Sequence, residues 1–277
     1  MSDHGRIAQD RSHGAAFVAI DRVDDPRLAQ FRLNERGLAN REQKRDDAGA
    51  GLFLGEGDLV VARALDAGCV PVAGLADGQR IPPVAQRIID AGADVYVGGD
   101  DLRRLVTGLG MPQPIVALFQ RPARPSAHEL IASSNRLVIV EGVDNPSNVG
   151  AIVRNAAAFG WDGLLLDHTS ADPLARRALR VAMGTAFTLP HARTRQLLED
   201  LRDDADRELY ALTPDSDAID IRTVTPADRR GVVIGSERAG LSADILAMAT
   251  PVRIPMAAGV DSLNAAAAAA VACYALA

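Results

Sequence analysis

The chain has 277 residues, 48% of them hydrophobic and 24% charged, and a formal net charge of -6. That is globular composition with room for one large domain or two moderate ones, and its 4% aromatic content leaves core filling to Ala, Val, Leu and Ile. The polar start MSDHGRIAQDRSHG lacks a signal-type apolar stretch and no window reaches membrane-spanning length, while Cys69 and Cys273 stand in neither metal nor redox spacing. The expectation is a cytoplasmic protein with buried thiols and no metal.

In chain order, AAFVAI (15–20) reads as a short strand or helix. A helical segment follows over a basic stretch in which Arg27, Arg32, Arg36, Arg41, Lys44 and Arg45 outnumber Glu35 and Glu42. Phosphates respond to such a local patch rather than to net charge, although a solvated helix face has the same composition. GLFLGEG (51–57) reads as a strand closing in a turn, DLVVARALDA (58–67) as a helix and CVPVAGL (69–75) as a strand. PPVAQRIIDA (82–91), DVYVGG (94–99), DLRRLVTGL (101–109) and IVALFQ (115–120) continue as helix, strand, helix and strand, the alternation of a small α/β domain. Pro122 and Pro125 make RPARPSAHELIASSN (121–135) the interdomain connection. The resulting division is 1–125, a linker at 126–132, and 133–277.

The second half opens with a strand at RLVIVEG (136–142), a helix at VGAIVRNAAAFG (149–160) and a buried strand at GLLLD (163–167). PLARRALRVAMG (173–184) is helical in pattern; ELYALT (208–213), GVVIG (231–235) and VRIP (252–255) are further strands. Continuous apolar strands between helices predict an open, mostly parallel sheet covered on both faces.

Three strand ends carry residues suited to chemistry. In EGVDNPSNVGAIVRNAAAFG, Asn148 is placed to cap the following helix and Gly150 admits close approach by a ligand or a neighbouring helix. Arg154 lies one helical turn beyond Gly150; its guanidinium either holds a phosphate through paired hydrogen bonds or sits on the surface with a salt-bridge partner. A cation near a helix start opposes the helix dipole. In VVIGSERAGLSADIL (232–246), Glu237 stands in a turn between Gly235 and Gly240, either accepting hydrogen bonds from a substrate or pairing with Arg238 or Arg154. In VRIPMAAGVDSLNAAAAAAVACYALA, Met256 and Gly259 shape a loop and Ser262 is placed to cap an alanine-rich helix suited to close packing. No dinucleotide fingerprint or phosphate loop follows any strand, which argues against a dinucleotide-dependent oxidoreductase.

Together these segments resemble the signature of the SpoU, or TrmH, class of RNA methyltransferases within the SPOUT superfamily. Asn-x-x-Asn-x-Gly-x-x-x-Arg matches Asn145, Asn148, Gly150 and Arg154. Apolar-Gly-x-Glu-x-x-Gly-Leu matches Ile234, Gly235, Glu237, Gly240 and Leu241. Ile-Pro-Met, then Gly, then Ser-Leu-Asn matches Ile254, Pro255, Met256, Gly259, Ser262, Leu263 and Asn264. The resemblance covers residues 133–277 and implies an α/β domain with a deep trefoil knot. It further implies a bent S-adenosylmethionine held by the knotted loops, and a homodimer with composite sites whose interface includes the last helix. Residues 16–125 resemble, less specifically, the N-terminal extension of ribosomal-RNA members, a small α/β domain like an RNA-binding ribosomal protein. One departure is Ala182, where related stretches carry a serine between counterparts of Arg180 and Gly184.

The function implied is 2'-O-methylation of a ribose in structured RNA, most simply ribosomal RNA. A tRNA substrate, or an inactive RNA-binding or assembly protein of the same fold, are the alternatives. The resemblance gives catalytic or positioning roles to Arg154, Glu237, Ser262, Asn264 and Asn145. It gives cofactor contacts to Ile234, Gly235, Ile254, Met256, Leu263 and Gly259. Arg36, Arg41, Lys44 and Arg45 are the expected phosphate contacts of the N-terminal half.

Overall fold

The computed structural model describes residues 14–38, 51–108 and 113–277. In the first half, β1 (Phe17–Ala19) is followed by a 3-10 helix at Pro26–Arg32 and a single helical turn, α1 (Glu35–Leu38). Then come β2 (Leu52–Glu56), α2 (Asp58–Asp66), β3 (Pro71–Asp77), α3 (Val84–Asp90), β4 (Asp94–Gly98), α4 (Asp100–Thr107) and β5 (Ile115–Gln120). These strands form one five-stranded sheet in the order β1-β4-β3-β5-β2. β1, β4 and β3 run parallel, and β5 is antiparallel to both of its neighbours. Arg41, Lys44 and Arg45 lie outside the described residues; up to Leu38 the expected basic helix is instead the 3-10 helix and the single turn α1, in which Arg36 falls.

The expected linker at 126–132 is instead a helix, α5 (Ala127–Ser133). It is fixed by a capping box in which Ser126 and Glu129 satisfy each other's backbone donors. Pro122 and Pro125 lie before the helix rather than in it, so they break nothing.

The second half follows with β6 (Arg136–Val140), α6 (Pro146–Ala158), β7 (Gly163–Asp167) and α7 (Arg176–Ala182). After them come β8 (His191–Thr194), α8 (Leu197–Asp203), β9 (Glu208–Leu212), β10 (Ile219–Asp220), β11 (Arg230–Ile234), α9 (Ala243–Met248), β12 (Thr250–Arg253) and α10 (Ala265–Ala275). Its seven strands form a sheet in the order β10-β12-β9-β11-β6-β7-β8, every pairing parallel. All five residues of β7 and of β11 are buried, as burial of both sheet faces requires.

Two helix starts differ from expectation. Asn145, not Asn148, caps α6, accepting from Ser147 N, with Pro146 in the first turn where its missing N–H costs nothing. Arg154 therefore sits in the third turn, clear of the dipole's positive end. Asn264, not Ser262, caps α10, its Oδ1 accepting from Ala266 N at 3.0 Å and Ala267 N at 3.3 Å.

The close approach at Gly150 is to a helix: a Cβ there would lie 2.3 Å from the Ala178 carbonyl oxygen of α7. On its other side α6 meets α10, where Asn155 donates to Ala266 O at 3.0 Å. Trp161, just past α6, donates to Cys273 O at 3.0 Å. The same apolar cluster continues into the first half, with Phe53 stacked on Phe119 at 5.2 Å and tilted against Phe187 at 5.4 Å. Ion pairs flank that contact: Glu56, 5% exposed, faces Arg180 at 3.7 Å and Arg176 at 3.9 Å, and Asp172 pairs with Arg121. Among the described residues no helix is long and apolar enough to cross a membrane, and no cluster of side chains suits a metal ion.

Candidate active site

The three segments meet at the carboxyl-terminal ends of the parallel strands. After β11 the chain turns back on itself: Ser236 and Gly240 exchange backbone hydrogen bonds, with Gly240 at φ 68°. Gly235 has no space for a side chain, since a Cβ would lie 2.5 Å from the Gly240 carbonyl carbon. Ser242 caps α9, and its N–H donates to Glu141 at 2.8 Å, fastening the loop to the end of β6.

That turn presents Glu237 to the other two segments. Its Oε1 accepts from Asn148 Nδ2 at 2.9 Å and from Asn264 Nδ2 at 2.5 Å, and Asn264 also donates to Asn148 Oδ1 at 3.0 Å. Glu237 thus bonds two amides rather than Arg238 or Arg154. Asn148 is buried inside α6, while Asn264 uses its oxygen to cap α10 and its nitrogen to close the triad. One carboxylate and two amides therefore lock the three loops together.

Beside the triad lies a cavity of about 480 Å³ where β9, β11 and β12 end. Ile234, Gly235, Ile254, Met256 and Leu263, to which the resemblance gives cofactor contacts, line it together with Glu237 and Ser262. Gly259, expected at the cofactor, is instead in an exposed turn at φ 85° and is not in the lining. Asn145, expected among the catalytic residues, is exposed and committed to capping α6, and Asn148 takes the inner position. Arg154 is exposed on α6, outside the cavity lining, with no hydrogen bond or ion pair to any described residue. Leu212, the last residue of β9, and Thr213 just beyond it also line the cavity and were not expected there.

A second anchor went unread in the sequence. Asp167, at the end of β7, accepts from the backbone N–H groups of Gly142 and Ser170 at 3.0 Å each, and from the Ser170 and Thr169 hydroxyls. Burial alone would raise its pKa, but the Ser170 and Thr169 hydroxyls and the Gly142 amide hold it below the ordinary carboxylate value. An aspartate ending an otherwise apolar strand was its only signal. Cys273 is an inert thiol, pushed up to about 12 by burial.

A wholly parallel sheet with a small-molecule cavity at its strand ends is the arrangement of an α/β enzyme. The chain belongs to the SpoU rRNA Methylase family, whose model matches residues 135–274. It is 34% identical to an uncharacterized tRNA/rRNA methyltransferase of Mycobacterium bovis, over 98% of this chain and 94% of that one. It is 27% identical to the 23S rRNA (guanosine(2553)-2'-O)-methyltransferase RlmP of Bacillus subtilis, over 83% and 90% of the two chains. Its fold matches the SpoU methyltransferase AviRb of Streptomyces viridochromogenes in complex with AdoMet, with TM-score 0.72 and 25% identity over 91% and 97% of the chains.

Proposed function

We propose that this chain transfers a methyl group from S-adenosylmethionine to the 2'-oxygen of a ribose in RNA, ribosomal RNA being favoured by the likeness to RlmP. The observation that carries the reading is the triad of Asn148, Glu237 and Asn264, which makes one site from three segments distant in sequence. The cavity suits the cofactor: its volume is that of a small-molecule site, Ile234, Ile254, Met256 and Leu263 offer apolar contact, and the loops offer backbone donors and acceptors. Bound there, S-adenosylmethionine supplies a sulfonium-bound methyl carbon that a ribose 2'-oxygen accepts. Glu237 holds the second loop in shape, and Asn264 and Ser262 hold the third. Arg154, permanently charged, orients the ribose hydroxyl and an adjoining phosphate, and the RNA phosphate helps to accept the proton.

Because Arg154 lies outside the lining of the cavity, the reading includes a homodimer with sites composed from both copies. The face of α10 bearing Val271, 39% exposed, and Tyr274, 73% exposed, is the apolar surface available for it. The chain between β12 and α10 is proposed to pass through a trefoil knot, and residues up to 125 to form the RNA-holding domain. Cytoplasmic RNA is the substrate pool this implies. The test is calorimetry with S-adenosylmethionine followed by methyl transfer to purified ribosomal and transfer RNA. Binding with transfer to a ribose supports the reading; a folded protein that binds no cofactor contradicts it.

A further inference from the structure

The cofactor cavity occupies only one side of the sheet's carboxyl-terminal edge, where β12, β9 and β11 end. The next strands along that edge, β6, β7 and β8, end in a second and larger cleft of about 1570 Å³. Asp144 and Pro146 after β6, Thr169 after β7 and Arg195 after β8 line it, and Leu33 and Asn34 of the N-terminal half form its opposite wall. β11 and β6 are hydrogen-bonded neighbours, so the strand ends bordering the cavity and those bordering the cleft adjoin along the edge. The triad spans that step, with Asn148 on α6 after β6 and Glu237 after β11.

The charge of this cleft opposes that of the chain. Arg32, Arg121, Arg176, Arg177, Arg193 and Arg195 line it against Asp144 and Asp172. Asp172 is compensated within the protein by Arg121 and by Arg124 at 3.5 Å. The cleft is therefore a local cationic surface on a protein of net charge -6. Arg177 and Arg195 are exposed, and Arg177 has no hydrogen bond or ion pair with any described residue. The volume exceeds that of a site for one small ligand, and the two walls come from different halves of the molecule.

We propose that this cleft carries the RNA strand flanking the target nucleotide, with Arg177 and Arg195 contacting its phosphates. The proposal rests on the RNA methyltransferase reading and adds where the polymer lies. A strand along the edge over β8, β7 and β6 delivers its next nucleotide at the triad, beside the cofactor cavity. Neither arginine belongs to the three motifs, and both lie outside the basic stretch of residues 27–45.

The experiment measures binding of a fluorescein-labelled RNA stem-loop to the full chain by anisotropy across a salt series, with S-adenosylmethionine calorimetry on each variant. Arg177→Ala with Arg195→Ala should flatten the slope of log affinity against log salt by about 1.4, two phosphate contacts at roughly 0.7 each. Arg177→Lys with Arg195→Lys should restore it. Arg22→Ala with Arg87→Ala, an equal charge change outside the cleft, should leave it unchanged. An unchanged slope in the cleft variant, or equal flattening in the control pair, overturns the proposal. So does polyglutamate displacing RNA as effectively as unlabelled RNA does, which would assign the cleft to an acidic protein segment. Failure of the wild-type chain to bind S-adenosylmethionine would count against the methyltransferase reading instead, leaving the salt slopes to judge the cleft.

Discussion

Glu237 and Asn148 are 89 positions apart and Glu237 and Asn264 are 27 apart, yet a single carboxylate oxygen receives both amides. An acceptor with two charge-assisted donors fixes loop geometry better than a neutral pair does. Arg154, by contrast, has no described partner, so removing it should spare the fold. Arg154→Ala is expected to retain cofactor affinity while single-turnover methyl transfer falls about a hundredfold, or about 3 kcal/mol of transition-state stabilisation. Arg154→Lys should rescue poorly, because a point charge lacks the planar fork. Transfer at near wild-type rate by Arg154→Ala would make it a surface residue. His191 gives a separate prediction about stability. Burial, reinforced by Arg124, lowers its pKa from 6.5 to about 3, and its Nε2 has no hydrogen-bond partner. Between those values the unfolded chain binds a proton that the folded chain refuses, so stability falls as pH falls through that window. Burial would raise the pKa of Asp172, but Arg121 and Arg124 hold it well below its usual 3.8; its loss of stability begins only near that value. His191→Leu should therefore flatten the decline of the urea midpoint between pH 6.5 and 3.8. An equally steep decline in the variant would place the sensitivity elsewhere.

At the scale of elements, α6 is held between α7 and α10, and Gly150 sets the first of these distances. Gly150→Ala must push α6 from the Ala178 carbonyl, an overpacking expected to cost about 2–3 kcal/mol in urea unfolding. A variant as stable as the wild type would show that α7 yields freely. The buried strands were legible in sequence because Leu137–Val140, Leu164–Leu166 and Val232–Ile234 are uninterrupted apolar runs. β8, His191–Thr194, was not, since its burial comes from pairing with β7 rather than from its own composition. α5 was hidden by Pro122 and Pro125, although the Ser126–Glu129 spacing of its capping box was present in the sequence. At the site, motif spacing singled out Glu237, Asn264 and part of the cavity wall, namely Ile234, Gly235, Ile254, Met256, Ser262 and Leu263. It assigned the cap to Asn148 and the site to Asn145, the reverse of the structure, because Pro146 permits an earlier helix start and only the helix phase turns Asn148 inward. The arginine cleft was illegible because its two walls are assembled from residues more than a hundred positions apart, such as Asn34 and Arg177.

At the scale of the molecule, the two sheets share one apolar cluster, and Glu56 is buried beside Arg176 and Arg180 where they meet. A substrate gripped by both halves would therefore meet a fixed spacing, as alignment of a ribose with a methyl donor requires. The parallel sheet places the cavity and the cleft on one edge, with the triad between them. The central claim, ribose methylation of RNA, is tested most directly by mapping 2'-O-methylation in total RNA from cells with and without this gene. The expected result is a ribose that is methylated with the gene and bare without it, restored by the wild-type gene and not by Arg154→Ala. Identical maps, or a lost methyl group that belongs to a base, would contradict it.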